Sequence, residues 1–72
     1  MAVAEREGII VRVNDSAGFG YVQEKNSTRQ FIFGFDKVRG YQGQPASQLR
    51  LRDGVRVHFQ LEDEVVRHVE PL

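Results

Sequence analysis

The residues with the clearest chemical potential are aromatic side chains at alternate positions of a short segment. Phe19 and Tyr21 lie within the sequence Gly-Phe-Gly-Tyr-Val-Gln at positions 18–23. Residues i and i+2 of a β-strand point to the same face, so the two rings would share one face. The glycines beside them would leave that face open to a flat ligand such as an unpaired nucleobase. The same alternation is also typical of a packed core, and the segment alone leaves both interpretations open.

The elements that would position these rings are short β-strands. Runs of β-branched and aromatic residues between turn residues predict strands at 8–13, 19–24, 30–35, 55–61 and 65–69. No segment has sustained helical periodicity, apart from a single turn that Ser47 could cap ahead of Leu49 and Leu51. Residues 1–7 are predicted to form a charged N-terminal tail.

The predicted fold class is all-β, as one domain over residues 1–72: a five-stranded antiparallel Greek-key barrel of the OB type. A three-stranded meander, a long polar loop over 39–48 and a separate hairpin are typical of that arrangement. On the fourth strand, Val55 would point inward, whereas Arg56, His58 and Gln60 would point outward. The predicted core consists of apolar residues at alternating strand positions and in the loop: Ile10, Val22, Phe31, Phe33, Val38, Val57, Phe59, Leu61 and Val69.

Two aromatic motifs resemble those of a known family. The segment 18–22 resembles the RNP1 motif of cold-shock domains, and Phe-Ile-Phe-Gly-Phe at 31–35 resembles the RNP2 motif that follows it. The segment 51–59 resembles the entry to their fourth strand, and the likeness extends over about residues 8–72. In the RRM fold, RNP2 precedes RNP1 and two helices are required, so the order here favours the cold-shock family. The resemblance implies a binder of single-stranded RNA or DNA.

The resemblance also implies roles for individual residues. Phe19, Tyr21 and Phe35 would stack on bases, and Tyr41 would extend the surface from the long loop. Arg12 stands where the family carries its principal tryptophan, and its planar guanidinium could stack on a base or contact a phosphate. Positive charge would come from three further residues, namely Lys25, Arg29 and Lys37.

The departures from the family predict weak binding. Val11, Arg12 and Val13 replace Lys-Trp-Phe, Ala17 stands in place of a lysine, and Ile32 and Gly34 replace a phenylalanine and a histidine. A base–aromatic stack contributes about 1–3 kcal/mol, whereas micromolar affinity needs about 8.2 kcal/mol. Two or three remaining stacks therefore predict micromolar affinity or poorer, with little sequence preference, in an RNA chaperone or a regulator of transcription or translation. The same losses also suit a barrel that binds another protein and no nucleic acid.

Charge and composition argue against other classes of function. Ten basic and ten acidic residues give zero net charge, which argues against strong binding to duplex DNA or to a membrane. Six basic residues against two acidic ones between positions 29 and 56 still give that stretch a local charge of +4. There is no cysteine, and His58 and His68 have no neighbours at metal-ligand spacing. We expect a cytoplasmic protein that is not an enzyme and has no metal, cofactor, catalytic residue or small-molecule substrate.

Overall fold

The computed structural model describes residues 3–72, which form five β-strands and two short 3₁₀ helices. The helices, Phe35–Lys37 and Ala46–Leu49, lie in the connection between the third and fourth strands. None of the helices in the described part of the chain is long and apolar enough to cross a membrane. The strands are β1 (Ala4–Asn14), β2 (Phe19–Glu24), β3 (Gln30–Gly34), β4 (Arg56–Glu62) and β5 (Val65–Pro71).

The strands form one antiparallel sheet in the order β3-β2-β1-β4-β5. The sheet curls into a half-barrel because β1 has a different neighbour along each half of its length. Residues 4–9 pair with β4, whereas residues 8–14 pair with β2. A bulge at Val11 sets two residues of β1 against one of β2, which bends the strand. The all-β, antiparallel class is therefore confirmed.

The inner face of the curled sheet holds the hydrophobic core. All nine predicted core residues are buried, and Ile10, Val22 and Phe59 are completely inaccessible to solvent. Each such side chain stabilises the fold by roughly 1.5–3 kcal/mol. The long connection and β5 add further buried side chains: Phe35, Ala46, Leu49, Leu51 and Val66. Val55 precedes β4 and packs against this core while half-buried.

The N-terminal part of β1 differs from the sequence prediction. The predicted tail over residues 1–7 is wrong for residues 4–7, which pair with β4, while residues 1 and 2 lie outside the described part of the chain. Charged side chains form cross-strand pairs there. Glu5 Oε1 lies 3.1 Å from His58 Nε2, and Arg6 Nε lies 3.1 Å from Glu24 Oε2. Because the segment is polar, it lacks the apolar alternation that identifies the other strands.

One side chain of the turn between β1 and β2 contacts the connection between β3 and β4. The prediction that Ser47 caps a helical turn is wrong, because the 3₁₀ helix Ala46–Leu49 starts directly after Pro45. Instead, Ala46 N–H donates a hydrogen bond of 3.0 Å to Asp15 Oδ1 in the turn between β1 and β2. Asp15 therefore accepts a hydrogen bond from the first N–H of this helix, as the side chain of an N-cap residue does, although Asp15 is distant in sequence.

Candidate nucleic-acid interface

Phe19 and Tyr21 lie on the outer face of β2, away from the core. Their neighbours Gly20 and Val22 are buried on the inner face, while both rings are half-buried. The ring centroids are 6.0 Å apart with an interplanar angle of 83°. This edge-to-face arrangement is a favourable one for two aromatic rings, and it holds each of them in place. We call these two residues the aromatic pair.

The surroundings of the aromatic pair are low and partly apolar. In the register of β2 with β3, Phe19 lies opposite Gly34 and Tyr21 lies opposite Ile32. Gly34 has no side chain of its own, and the Asp36 carboxylate lies where its Cβ would be, so a charged group borders Phe19 there. Ile32 is 55% exposed. Below the pair, a Cβ atom on Gly20 would lie 3.0 Å from Phe33 Cζ. Glycine at position 20 therefore lets the Phe33 ring pack directly beneath the aromatic pair.

Arg12 lies beside Tyr21 because of the bulge in β1. Ile10 pairs with Val22 and Arg12 pairs with Tyr21, so Val11 is the extra residue. Beyond the bulge, Val13 packs against the core and Arg12 is exposed. Within residues 3–72, Arg12 has no ion-pair partner. Its guanidinium group is therefore available to a ligand on the outer face.

The other predicted cations are each paired with a carboxylate. Lys25 Nζ lies 3.8 Å from Glu7 Oε2, and Lys37 Nζ lies 3.7 Å from Asp36 Oδ2. Exposed pairs of this kind contribute only about 0–1 kcal/mol to stability, so a phosphate could replace either carboxylate at small cost.

Arg29 has two partners within the fold. Its guanidinium group pairs with Glu64 in the turn between β4 and β5, and its Cζ lies 5.0 Å from the centroid of the Phe31 ring. Arg29 therefore links β3 to the hairpin of β4 and β5. The sheet opens between β3 and β5, where a parallel backbone bridge joins Val38 to Val69. This placement gives Arg29 a structural role on the open side of the half-barrel.

Phe35 does not lie on the outer face, and its predicted role as a stacking residue is wrong. It is 3% exposed, because the chain leaves β3 after Gly34 and turns in a 3₁₀ helix that directs the ring into the core. Its N–H donates a hydrogen bond of 2.9 Å to Gly18 O. A buried ring cannot present its face to a base.

Phe35 instead supports Tyr41 from below. The two ring centroids are 6.4 Å apart at an angle of 68°, and Tyr41 is 38% exposed. Both residues line a shallow groove of about 470 Å³ together with Gly18, which immediately precedes the aromatic pair. The structure thus brings Tyr41 to the Phe19 end of the outer face.

A family model described as "Domain of unknown function (DUF8529)" matches residues 2–67, which is most of the chain. The chain belongs to this family. The description of DUF8529 names no ligand or activity, so the relation to cold-shock domains stays a prediction. No curated protein matches the chain.

In this DUF8529 member, two apolar residues of the outer face were missed as candidate site residues. Ile9 is 40% exposed on β1, and Ile32 is the more exposed neighbour of Tyr21. Each alternates with a core residue, Ile10 or Phe31, and that alternation was the signal that could have identified them. The outer face of β1, β2 and β3 therefore combines two aromatic rings, exposed aliphatic side chains and the unpaired Arg12.

Proposed function

We propose that this domain binds single-stranded RNA or DNA weakly and with little sequence preference, by stacking bases on Phe19 and Tyr21. The observation that carries the proposal is the aromatic pair itself, which lies half-buried on the outer face of β2. Every base has a flat face that can stack, so such a surface discriminates little between sequences. The proposal includes no catalytic step.

We also propose that the curled sheet is an OB-type Greek-key barrel of the cold-shock kind. The strand order and the approach of β3 to β5 support this interpretation, as does the parallel bridge between Val69 of β5 and Val38, which directly follows the first 3₁₀ helix. By resemblance to that family, the domain acts in the cytoplasm as an RNA chaperone or as a regulator of transcription or translation. Its partner is an unpaired segment of nucleic acid, because a duplex keeps its base faces stacked inside the helix.

The geometry predicts the strength of binding. Two stacks of about 1–3 kcal/mol each, with Arg12 beside them, give less than the 8.2 kcal/mol of a micromolar complex. Phe35 is buried and contributes no stack. Because Arg12 is the cation placed opposite Tyr21 in the sheet and few others lie beside the aromatic pair, few counterions are released and the affinity should depend only weakly on salt.

Fluorescence anisotropy with labelled oligo-dT and oligo-U hexamers in low salt tests the proposal. We expect saturable binding in the range of tens to hundreds of micromolar. A Phe19→Ala/Tyr21→Ala double variant should lose this binding while keeping its circular dichroism spectrum. Val65→Ala is the matched control, because Val65 is an exposed apolar residue, 46% accessible, on the distant strand β5. Binding that survives the double change, or no binding by the parent at hundreds of micromolar, would overturn the proposal.

One observation favours a second candidate function, a protein–protein interaction module. Ile32 and Ile9 are exposed on the same outer face as Tyr21, and aliphatic side chains beside an aromatic residue are typical of the centre of a protein interface. The hexamer titration separates the two functions. A parent domain that binds neither oligonucleotide supports the protein-binding interpretation of this face.

A further inference from the structure

A second surface feature lies on the outer face, beyond the aromatic pair. Ile9 of β1 pairs with Gln23 of β2 on one side and with Arg56 of β4 on the other. Each of the three precedes or follows a buried residue in its strand, so all three point to the outer face. They form the floor of a groove of about 520 Å³, with the turn after β2 as its wall. We call it the Arg56 groove, and its volume is within the range of small-ligand sites.

The Arg56 groove continues the aromatic pair along the same strand. Gln23 is the next outward residue of β2 after Tyr21, at a distance of about 7 Å along the strand. The Gln23 side-chain amide donates a hydrogen bond of 2.9 Å to Ser27 O, which holds the turn against the groove. A chain that lies across Phe19 and Tyr21 therefore meets this groove without changing direction.

The charges of the groove leave one cation available. Glu7 and Glu24 line it, but Glu7 is paired with Lys25 at 3.8 Å, and Glu24 is paired with Arg6 at 3.1 Å. Arg56 is exposed and has no ion-pair partner among residues 3–72. Beside it, Ile9 offers an exposed apolar surface. An anion next to a flat apolar group fits this combination, and a nucleotide has both.

We propose that the Arg56 groove holds the nucleotide that follows those stacked on Phe19 and Tyr21. Arg56 contacts its phosphate, and Ile9 packs against its base or sugar. This inference rests on the proposed function and extends it, since it sets a binding site of at least three nucleotides and a path along β2. It also adds a residue of β4 to the proposed binding surface, namely Arg56, which lies outside both aromatic motifs.

The length of the oligonucleotide tests the inference. Arg56→Ala should weaken binding of a dT hexamer about fivefold and lower the slope of log affinity against log salt by about 0.7, the value for one phosphate of a single strand. Binding of a dT dinucleotide, followed by NMR chemical shifts, should not change. Arg56→Lys should restore the slope, because the charge is retained. Arg67→Ala on β5 is the charge-matched control, and it should leave both ligands unaffected.

A second measurement does not depend on variants. The methyl signals of Ile9 should shift on addition of the hexamer and not on addition of the dinucleotide, while those of Val65 should shift with neither. If Arg56→Ala leaves hexamer binding unchanged, or weakens the dinucleotide equally, the groove is not part of the site, although the aromatic pair still binds. If the parent domain binds no oligonucleotide at all, the proposed function and this inference both fail.

Discussion

The two faces of the β2–β3 ribbon carry aromatic rings in different environments. On the inner face, Phe31 and Phe33 are buried, and the Phe31 ring lies 6.0 Å from that of Phe59. On the outer face, Phe19 and Tyr21 contact each other and remain half-accessible. The residue types are similar, so the difference comes from the position of each residue in the strand. An aromatic motif therefore presents accessible rings only where its aromatic residues alternate with core residues along the strand.

Replacing one ring on each face should give the largest difference in the free energy of unfolding between two variants. Phe33→Ala removes a core ring and should destabilise the domain by about 3–5 kcal/mol, which is most of the stability of a small domain. Tyr21→Ala removes a ring from the outer face and should cost no more than about 1 kcal/mol. Urea denaturation followed by circular dichroism measures both. Equal losses of stability in the two variants would mean that the rings on the two faces are packed equally well.

The separation between the faces can be tested at Gly20, the residue between the two outer rings. A valine there would press against Phe33 Cζ and Arg12 O, each 3.0 Å from its Cβ. We expect a loss of about 1–3 kcal/mol from overpacking, although valine favours strands. Gln60→Val, between the buried residues Phe59 and Leu61 of β4, is the control for strand propensity and should cost far less. A Gly20→Val variant as stable as the parent would show that the Phe33 ring can move away.

The connection that carries Tyr41 allows a smaller test. Asp15→Ala removes the acceptor of the Ala46 N–H, and we expect it to destabilise the domain by about 1 kcal/mol. Amide hydrogen exchange at Ala46 should become faster. Asp15→Asn keeps an oxygen acceptor and should retain most of the protection. Unchanged exchange in the alanine variant would show that the connection is held by its buried leucines alone.

The smallest expected effect concerns the contact within the aromatic pair. A double-mutant cycle on Phe19 and Tyr21 should give a coupling free energy of about 0.5–1 kcal/mol, as expected for half-exposed rings in edge-to-face contact. A cycle on Tyr21 and Val65, which lie on different strands and do not share partners, should give none. A zero value for the first cycle would mean that each ring is held by the sheet independently of the other.

The sequence was sufficient to predict the strands and the core where apolar residues alternate. Val57, Phe59 and Leu61 show this pattern in β4, and all three are buried. Phe35 has the parity of Phe31 and Phe33 but lies beyond the end of β3, in the 3₁₀ helix Phe35–Lys37. Its predicted exposure came from the family resemblance, and the turn of this helix directs the ring into the core instead.

Other features left no such signal in the sequence. Residues 4–7 of β1 are stabilised by pairing with β4 and by the ion pairs of Arg6 with Glu24 and of Glu7 with Lys25. Their polar side chains carry no local strand pattern, so the sequence predicts a tail there. The hydrogen bond from Ala46 to Asp15 joins residues 31 positions apart, a distance at which local turn patterns give no information. The carboxylate partners of Lys25 and Arg29 likewise depend on the folded chain, and so does the availability of Arg12.

The extra residue in β1, Val11, affects two properties of the strand: its curvature and the face to which each side chain points. Even-numbered residues point inward before the bulge, as Gly8 and Ile10 do, whereas odd-numbered Val13 points inward after it. A chain that lacked Val11 would keep Arg12 and Val13 on their present sides, because removing one residue restores a regular alternation. Only the curvature of the strand would be lost. A variant that lacks Val11 would therefore reveal whether the proposed nucleic-acid binding depends on the shape of the sheet or only on which side chains face outward.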